Sequence, residues 1–170
     1  MTSHTVRRVT AIRLRHPEDV AGLLVVLQRT HDEEGYPVRQ AAVSEWWLAS
    51  EDELGGWVAT DDGRVVGHVA LHPAEGEALP LWQQATGKAA HQLAVVSRLF
   101  TDRTVRGAGT LLLQHAVEQA AGMDREAVLQ VDPDSPARQL YLRRGWREVG
   151  TARQQWGHRT VDAVVMVLGR

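Results

Sequence analysis

The chain has 170 residues, a formal net charge of −2 and no cysteine. The missing thiols exclude disulfides, thiolate zinc sites and cysteine nucleophiles, and the near-neutral balance argues against a general nucleic-acid binder, which carries a basic surface. No apolar run approaches the ~20 residues that span a bilayer, and MTSHTVRRVT lacks the apolar core of a secretory signal, so the expectation is one cytoplasmic globular domain over 1–170, away from nucleic acid and membrane.

Residues 9–14 alternate as a short strand. After "HPED", Val20, Leu23, Leu24 and Leu27 fall at three-and-four spacing, which predicts a helix with one buried face. "THDEEGYPVRQ" (30–40) reads as a polar loop, and a second helix is expected around 39–49. "GWVATDDGRVVGHVALH" (56–72) reads as a β-hairpin turning at "DDG". The stretch 73–91 is long for a connection and is expected to hold one helical turn around Trp82.

"QLAVVSRLFT" (92–101) and "AVLQV" (127–131) are strands. Between them, 108–121 is helical, with Leu112, Leu113, Ala116, Val117 and Ala120 on the buried face. "DSPARQLYLRRGW" predicts a helix capped near Pro136 and stopped by Gly145. The apolar run Val161–Leu168 suggests a central strand. Short elements in the order β-α-α-β-β-β-α-β-α-β-β predict a mixed α/β fold.

The join at 105–111, "VRGAGTL", needs a physical reason. A helix N-terminus presents unpaired amides and about half a positive charge. Gly107 and Gly109 let the backbone curl, and Arg106 adds a cation, which suits a phosphate or diphosphate. A tight turn with an exposed arginine is the competing explanation. The pattern is no P-loop, because no Gly-Lys-Ser/Thr follows, and Leu112 stands where a dinucleotide fingerprint needs its third glycine.

Together, "SRLFTDRTVRGAGTLLL" and "DPDSPARQLYLRRGWREVG" resemble the GNAT superfamily of acyl-CoA N-acyltransferases. Arg106 and Gly109 match its R/Q-x-x-G-x-G/A loop, with Gly107 as the common extra glycine. Ala137, Leu140, Tyr141 and Gly145 match N-x-x-A-x-x-L-Y-x-x-x-G-F, with Asp134 in place of Asn and Trp146 in place of Phe. Leu111 departs from the small final residue of the loop motif. The resemblance is tight over 92–168 and looser over 9–72.

The resemblance implies a twisted, mainly antiparallel sheet of about seven strands, splayed between two central parallel strands at 92–101 and 127–131, with helices on both faces. It also implies an acetyl-CoA (or other acyl-CoA) cosubstrate and no metal. Backbone groups of Leu99, Phe100 and Thr101 would hold pantetheine. The loop of Arg106, Gly107, Ala108, Gly109, Thr110 and Leu111 would hold the diphosphate, with Asp134 and Tyr141 completing the cofactor set. A primary amine, on a small molecule or a peptide, would attack the thioester directly. A backbone N–H near Ser97–Leu99 would polarise its carbonyl, and Tyr141 would protonate the departing thiolate. Packing on an amphipathic helix is the competing role for Tyr141.

Relatives often place a glutamate on the strand 92–101, but no acidic residue lies there. His91, His31, Asp32, Glu33 and Glu34 remain as candidate bases, with Glu34 favoured. The eight histidines show no metal-binding spacing, and Ser97 lacks a G-x-S-x-G setting. Trp46 and Trp47 suit a core or a substrate channel. The N-terminal "RRV" and Arg143–Arg144 read as solvated, with either of the latter pair able to meet the 3′-phosphate of CoA. A non-catalytic acyl-CoA-binding regulatory domain is the alternative function, a generic nucleotide binder the third. Homodimerisation is compatible with the resemblance and undecided by it.

Overall fold

The computed structural model describes residues 6–37, 43–156 and 159–169. In chain order the elements are β1 (Arg7–Arg8), β2 (Ala11–Leu14), a 3-10 turn (Pro17–Asp19), α1 (Val20–Glu34), α2 (Glu45–Leu48), β3 (Gly55–Asp61), β4 (Arg64–Pro73) and α3 (Leu79–Thr86). They continue with a second 3-10 turn (Ala90–Gln92), β5 (Leu93–Thr101), β6 (Val105–Arg106), α4 (Ala108–Gly122), β7 (Glu126–Val131), α5 (Ala137–Arg143), β8 (Trp146–Trp156) and β9 (Arg159–Leu168). Seven strands form one mainly antiparallel sheet in the order β2-β3-β4-β5-β7-β9-β8, and β1 and β6 form a separate parallel pair. Two compact units are distinguished, Met1–Ala70 with Arg98–Ala116, and Leu71–Ser97 with Val117–Arg170.

In the first unit, Leu23 and Leu27 are fully buried and pack with Val26, Leu48, Val58 and Phe100. The expected polar loop at 30–40 begins later than the sequence suggests, because α1 continues to Glu34. Thr30 is buried, its hydroxyl donating to the Val26 carbonyl at 3.0 Å, and Gln28 reaches Asp32 at 2.9 Å. The polar outer face of a helix has the composition of a loop, so periodicity alone ends the helix too early. Gly35 stops it at φ 71°. Of the helix expected at 39–49, a single turn forms at Glu45–Leu48, and positions 39–42 lie outside the described residues.

The hairpin forms as expected. Its loop residues Asp62 (φ 49°) and Gly63 (φ 81°) both take the positive φ that a two-residue turn matched to strand twist requires. Arg7, read from sequence as solvated, is tied down. Its Nε–H donates to Asp61 at 3.2 Å and its Nη1–H to Asp102 at 3.1 Å. Those partners lie 54 and 95 positions away, beyond any local signal.

The second unit is organised around Trp82, Leu93, Val128, Val165 and Val167. Instead of one turn near Trp82, α3 is an eight-residue helix ended by Gly87 at φ 70°. Trp82 is 1% exposed and donates Nε1–H to the Leu129 carbonyl at 3.2 Å. β9 has antiparallel neighbours on both sides, β7 and β8, and its successive residues Ala163–Val167, which alternate between the two faces of the sheet, are all buried. β5 and β7 are parallel in register from Leu93–Glu126 to Val95–Val128, after which β5 continues to Thr101 and β7 to Val131.

Candidate active site

Gly107 caps α4 at φ 74°, and a Cβ built there meets nothing within 4 Å. The first intrahelical bond runs from the Leu111 amide to the Gly107 carbonyl at 3.1 Å. Hence the amides of Ala108, Gly109 and Thr110 have no acceptor within the helix, while that of Leu111 does. The donor set expected from 107–111 is therefore narrower at its far end. Arg106 is exposed immediately before this turn, and the Leu111 side chain is 43% exposed. An open left-handed turn, converging amides and an adjacent cation fit a diphosphate.

Five residues past the start of β5, Arg98 takes φ 49°. A non-glycine residue in this region is strained by about 1–3 kcal/mol and persists only where its surroundings hold it. Three groups do so. His68 Nδ1 lies 2.9 Å from the Arg98 carbonyl oxygen. Arg98 Nε–H donates to the Trp47 carbonyl at 2.6 Å, with the guanidinium 4.9 Å above the Trp47 ring. Tyr36, in edge contact with Trp47 at 5.9 Å, places its hydroxyl against the Arg98 backbone. Burial pushes the Tyr36 pKa up to about 12, against the opposing charge and hydrogen bond of Arg98. Burial also lowers the Arg98 pKa from its ordinary value.

His68 is itself locked. It is fully buried, stacked on Phe100 at 5.3 Å, and its Nε2 lies 2.9 Å from Arg15 Nη1. Arginine can only donate, so Nε2 accepts and Nδ1 carries the hydrogen that goes to the Arg98 carbonyl. Arg15 pairs with Glu53 and reaches the Leu48 carbonyl at 3.2 Å. A Cβ at position 56 would collide with Arg15 Nη1, which explains why glycine stands there. None of His68, Arg15 and Glu53 was among the sequence candidates. A histidine inside the apolar run "VVGHVALH" was the one available signal, since such a residue must find partners.

Ser97 has a partner as well. Its hydroxyl lies 2.5 Å from Nδ1 of the buried His72. Among the candidate bases, Glu34 is engaged by Arg103 at 3.1 Å. His31 Nδ1–H donates to the Pro37 carbonyl at 2.5 Å, which leaves Nε2 with its lone pair when the ring is neutral. Asp32, Glu33 and His91 are exposed. A cleft of about 190 Å³ between Val26, Arg29, Thr30 and Glu33 of α1 and Thr101–Thr104 lies within the same unit.

Tyr141, 7% exposed on α5, has its ring 6.2 Å from Trp146. Asp134 is exposed in a turn, its amide donating to Asp132 Oδ1 at 2.9 Å. These two belong to one compact unit, whereas Leu99–Thr101, Arg106–Leu111 and Glu34 belong to the other. A larger cleft of about 460 Å³, lined by Thr86, Glu126, Arg147 and Leu168 among others, contains none of the expected site residues. Among the described residues no three His, Asp or Glu side chains group as a metal site, and no helix is long and apolar enough to cross a membrane.

The sequence model of the acetyltransferase (GNAT) family matches residues 22–146. No curated protein matches the chain at a significant level. Among solved structures, a ribosomal-protein-alanine N-acetyltransferase from Brucella melitensis is similar with a TM-score of 0.67 at 20% identity, covering 93% of this chain and 99% of that one. An acetyltransferase from Streptococcus agalactiae gives 0.67 at 16% identity, with 94% and 98% covered. A GNAT family acetyltransferase from Brucella melitensis in complex with acetyl-CoA gives 0.62 at 18% identity, with 94% and 88% covered. At these identities the likeness concerns the fold.

Proposed function

The chain belongs to the acetyltransferase (GNAT) family, and we propose that it transfers an acetyl group from acetyl-CoA to a primary amine by direct attack in a ternary complex. The observation that carries this reading is the start of α4. Three amides without intrahelical acceptors, an open glycine turn and an exposed arginine adjoin in sequence, the donor set a diphosphate needs. Acetyl-CoA, when bound, supplies an activated thioester. The complex named for one structural neighbour supports that choice of cosubstrate.

In this reading Arg106 and the amides of Ala108, Gly109 and Thr110 hold the diphosphate, and backbone groups of Leu99–Thr101 hold the pantetheine arm as an added strand would. The left-handed backbone at Arg98 supports a role for the following amide, Leu99 N–H, in polarising the acetyl carbonyl. Tyr141 donates a proton to the leaving thiolate, a role carried by its motif match. Glu34 takes the proton of the attacking ammonium or holds a cationic acceptor in place. Its ion pair with Arg103 must then open or share the carboxylate.

The absence of any acidic residue from β5 favours a second reading, an acyl-CoA-binding domain without turnover. Release of free CoA from acetyl-CoA across a panel of primary amines separates the two. Acyl transfer to at least one amine is expected. Tight acetyl-CoA binding with no release across the panel would establish the non-catalytic domain instead.

A further inference from the structure

We propose that His68 is a positioning residue for this acetyl transfer: by gripping the Arg98 carbonyl it aims the Leu99 amide at the thioester. The inference rests on the acetyl-CoA reading above. A trans peptide group points its C=O and its N–H in opposite directions. The Arg98 carbonyl and the Leu99 amide belong to one such group, so fixing the first toward β4 turns the second toward the opposite edge of β5. That edge lies past the last β5–β7 register pair, Val95–Val128, where a strand amide is no longer committed to that ladder.

The holding device is complete within one compact unit. His68 Nδ1–H meets the Arg98 carbonyl at 2.9 Å, Nε2 accepts from Arg15 Nη1 at 2.9 Å, and the same Nη1 also donates to Glu53 at 3.2 Å. Phe100 stacks on the ring and prevents it from turning. A buried histidine needs hydrogen-bond partners for stability alone, but stability does not require that one partner be the carbonyl of a left-handed residue in mid-strand. That choice couples the ring to the orientation of one peptide plane, and preorganised amides of this kind matter where charge develops on a carbonyl oxygen.

The test uses acetyl-CoA labelled with carbon-13 at the thioester carbonyl and bound to the intact chain, read by isotope-edited infrared difference spectroscopy. Bound to the wild-type chain, the carbonyl band is expected to move to lower frequency than in free acetyl-CoA. In His68→Phe that displacement should fall by roughly half or more, while the affinity for acetyl-CoA changes by less than about three-fold. His68→Asn, which can present an N–H near the Nδ1 position, should restore the displacement. An unchanged band in His68→Phe overturns the proposal.

If His68→Phe does not fold, the wild-type chain still decides. Nitrogen-15 NMR of the His68 ring should show a proton on Nδ1, and an Nε2–H tautomer with Nδ1 unprotonated overturns the proposal. Wild-type chain that binds no acetyl-CoA refutes the cofactor reading itself, an outcome distinct from an unshifted variant.

Discussion

Arg98 is joined to Trp47 twice, through an Nε–H bond of 2.6 Å to the Trp47 carbonyl and through its guanidinium lying 4.9 Å over the indole ring. Both contacts oppose the cost of a side chain at φ 49°. Arg98→Ala keeps the Cβ in that region and loses the contacts, so a loss of about 2–3 kcal/mol is expected. Arg98→Gly loses the same contacts and relieves the strain, so it should be less destabilising by about 1 kcal/mol. Urea unfolding of both variants checks the order, and an alanine variant as stable as the glycine variant would remove strain from the account.

Tyr141 should matter for turnover rather than for folding. Tyr141→Phe keeps the ring that packs near Trp146 and is expected to lower kcat by about ten-fold or more, with the melting temperature within a few degrees of wild type. CoA release with the best amine of the panel measures it. Wild-type turnover at pH 7–8 would leave Tyr141 with packing alone.

Arg106→Ala removes an exposed cation and should weaken acetyl-CoA binding by about five- to twenty-fold at low salt. The difference should shrink as ionic strength rises. Acetyl-pantetheine, which has no diphosphate, should bind both chains equally. A parallel loss for acetyl-pantetheine would show that Arg106 shapes the turn instead of contacting an anion.

Asp19 predicts an acid sensitivity. Arg13 meets its two carboxylate oxygens at 2.7 and 2.9 Å, and the His16 amide donates at 2.7 Å. The hydrogen bond from Arg13, opposed by burial and helped by the His16 amide, lowers the Asp19 pKa below its ordinary 3.8. A depressed carboxylate stabilises the fold above its unfolded pKa and loses that stabilisation as pH falls through the folded value. Asp19→Asn should therefore cost about 1–2 kcal/mol at pH 7, discounted for the partly exposed Arg13. That difference should narrow below about pH 4. Urea midpoints across pH 2.5–7 check it.

Much of this protein is written locally. The 3.6-residue spacing of Leu23 and Leu27, the Asp62–Gly63 turn, the alternation and apolar runs of the strands, and Arg106–Gly107 opening a helix all rest on interactions within a few positions. So the order of most strands and helices, the family resemblance and the candidate anion turn were legible from sequence alone, whereas the full length of α3 and the β1–β6 pair were not. The folded chain decided which polar groups meet. Arg15, Glu53 and His68 become one network around Arg98 only after strands far apart in sequence are laid side by side. A side chain at Gly56 would displace Arg15 from its place in this network, a constraint set by the Arg15 side chain and not by the glycine's own backbone. Burial converts such distant side chains from solvated surface into obligatory hydrogen-bond partners, and burial is a property of the assembled sheet.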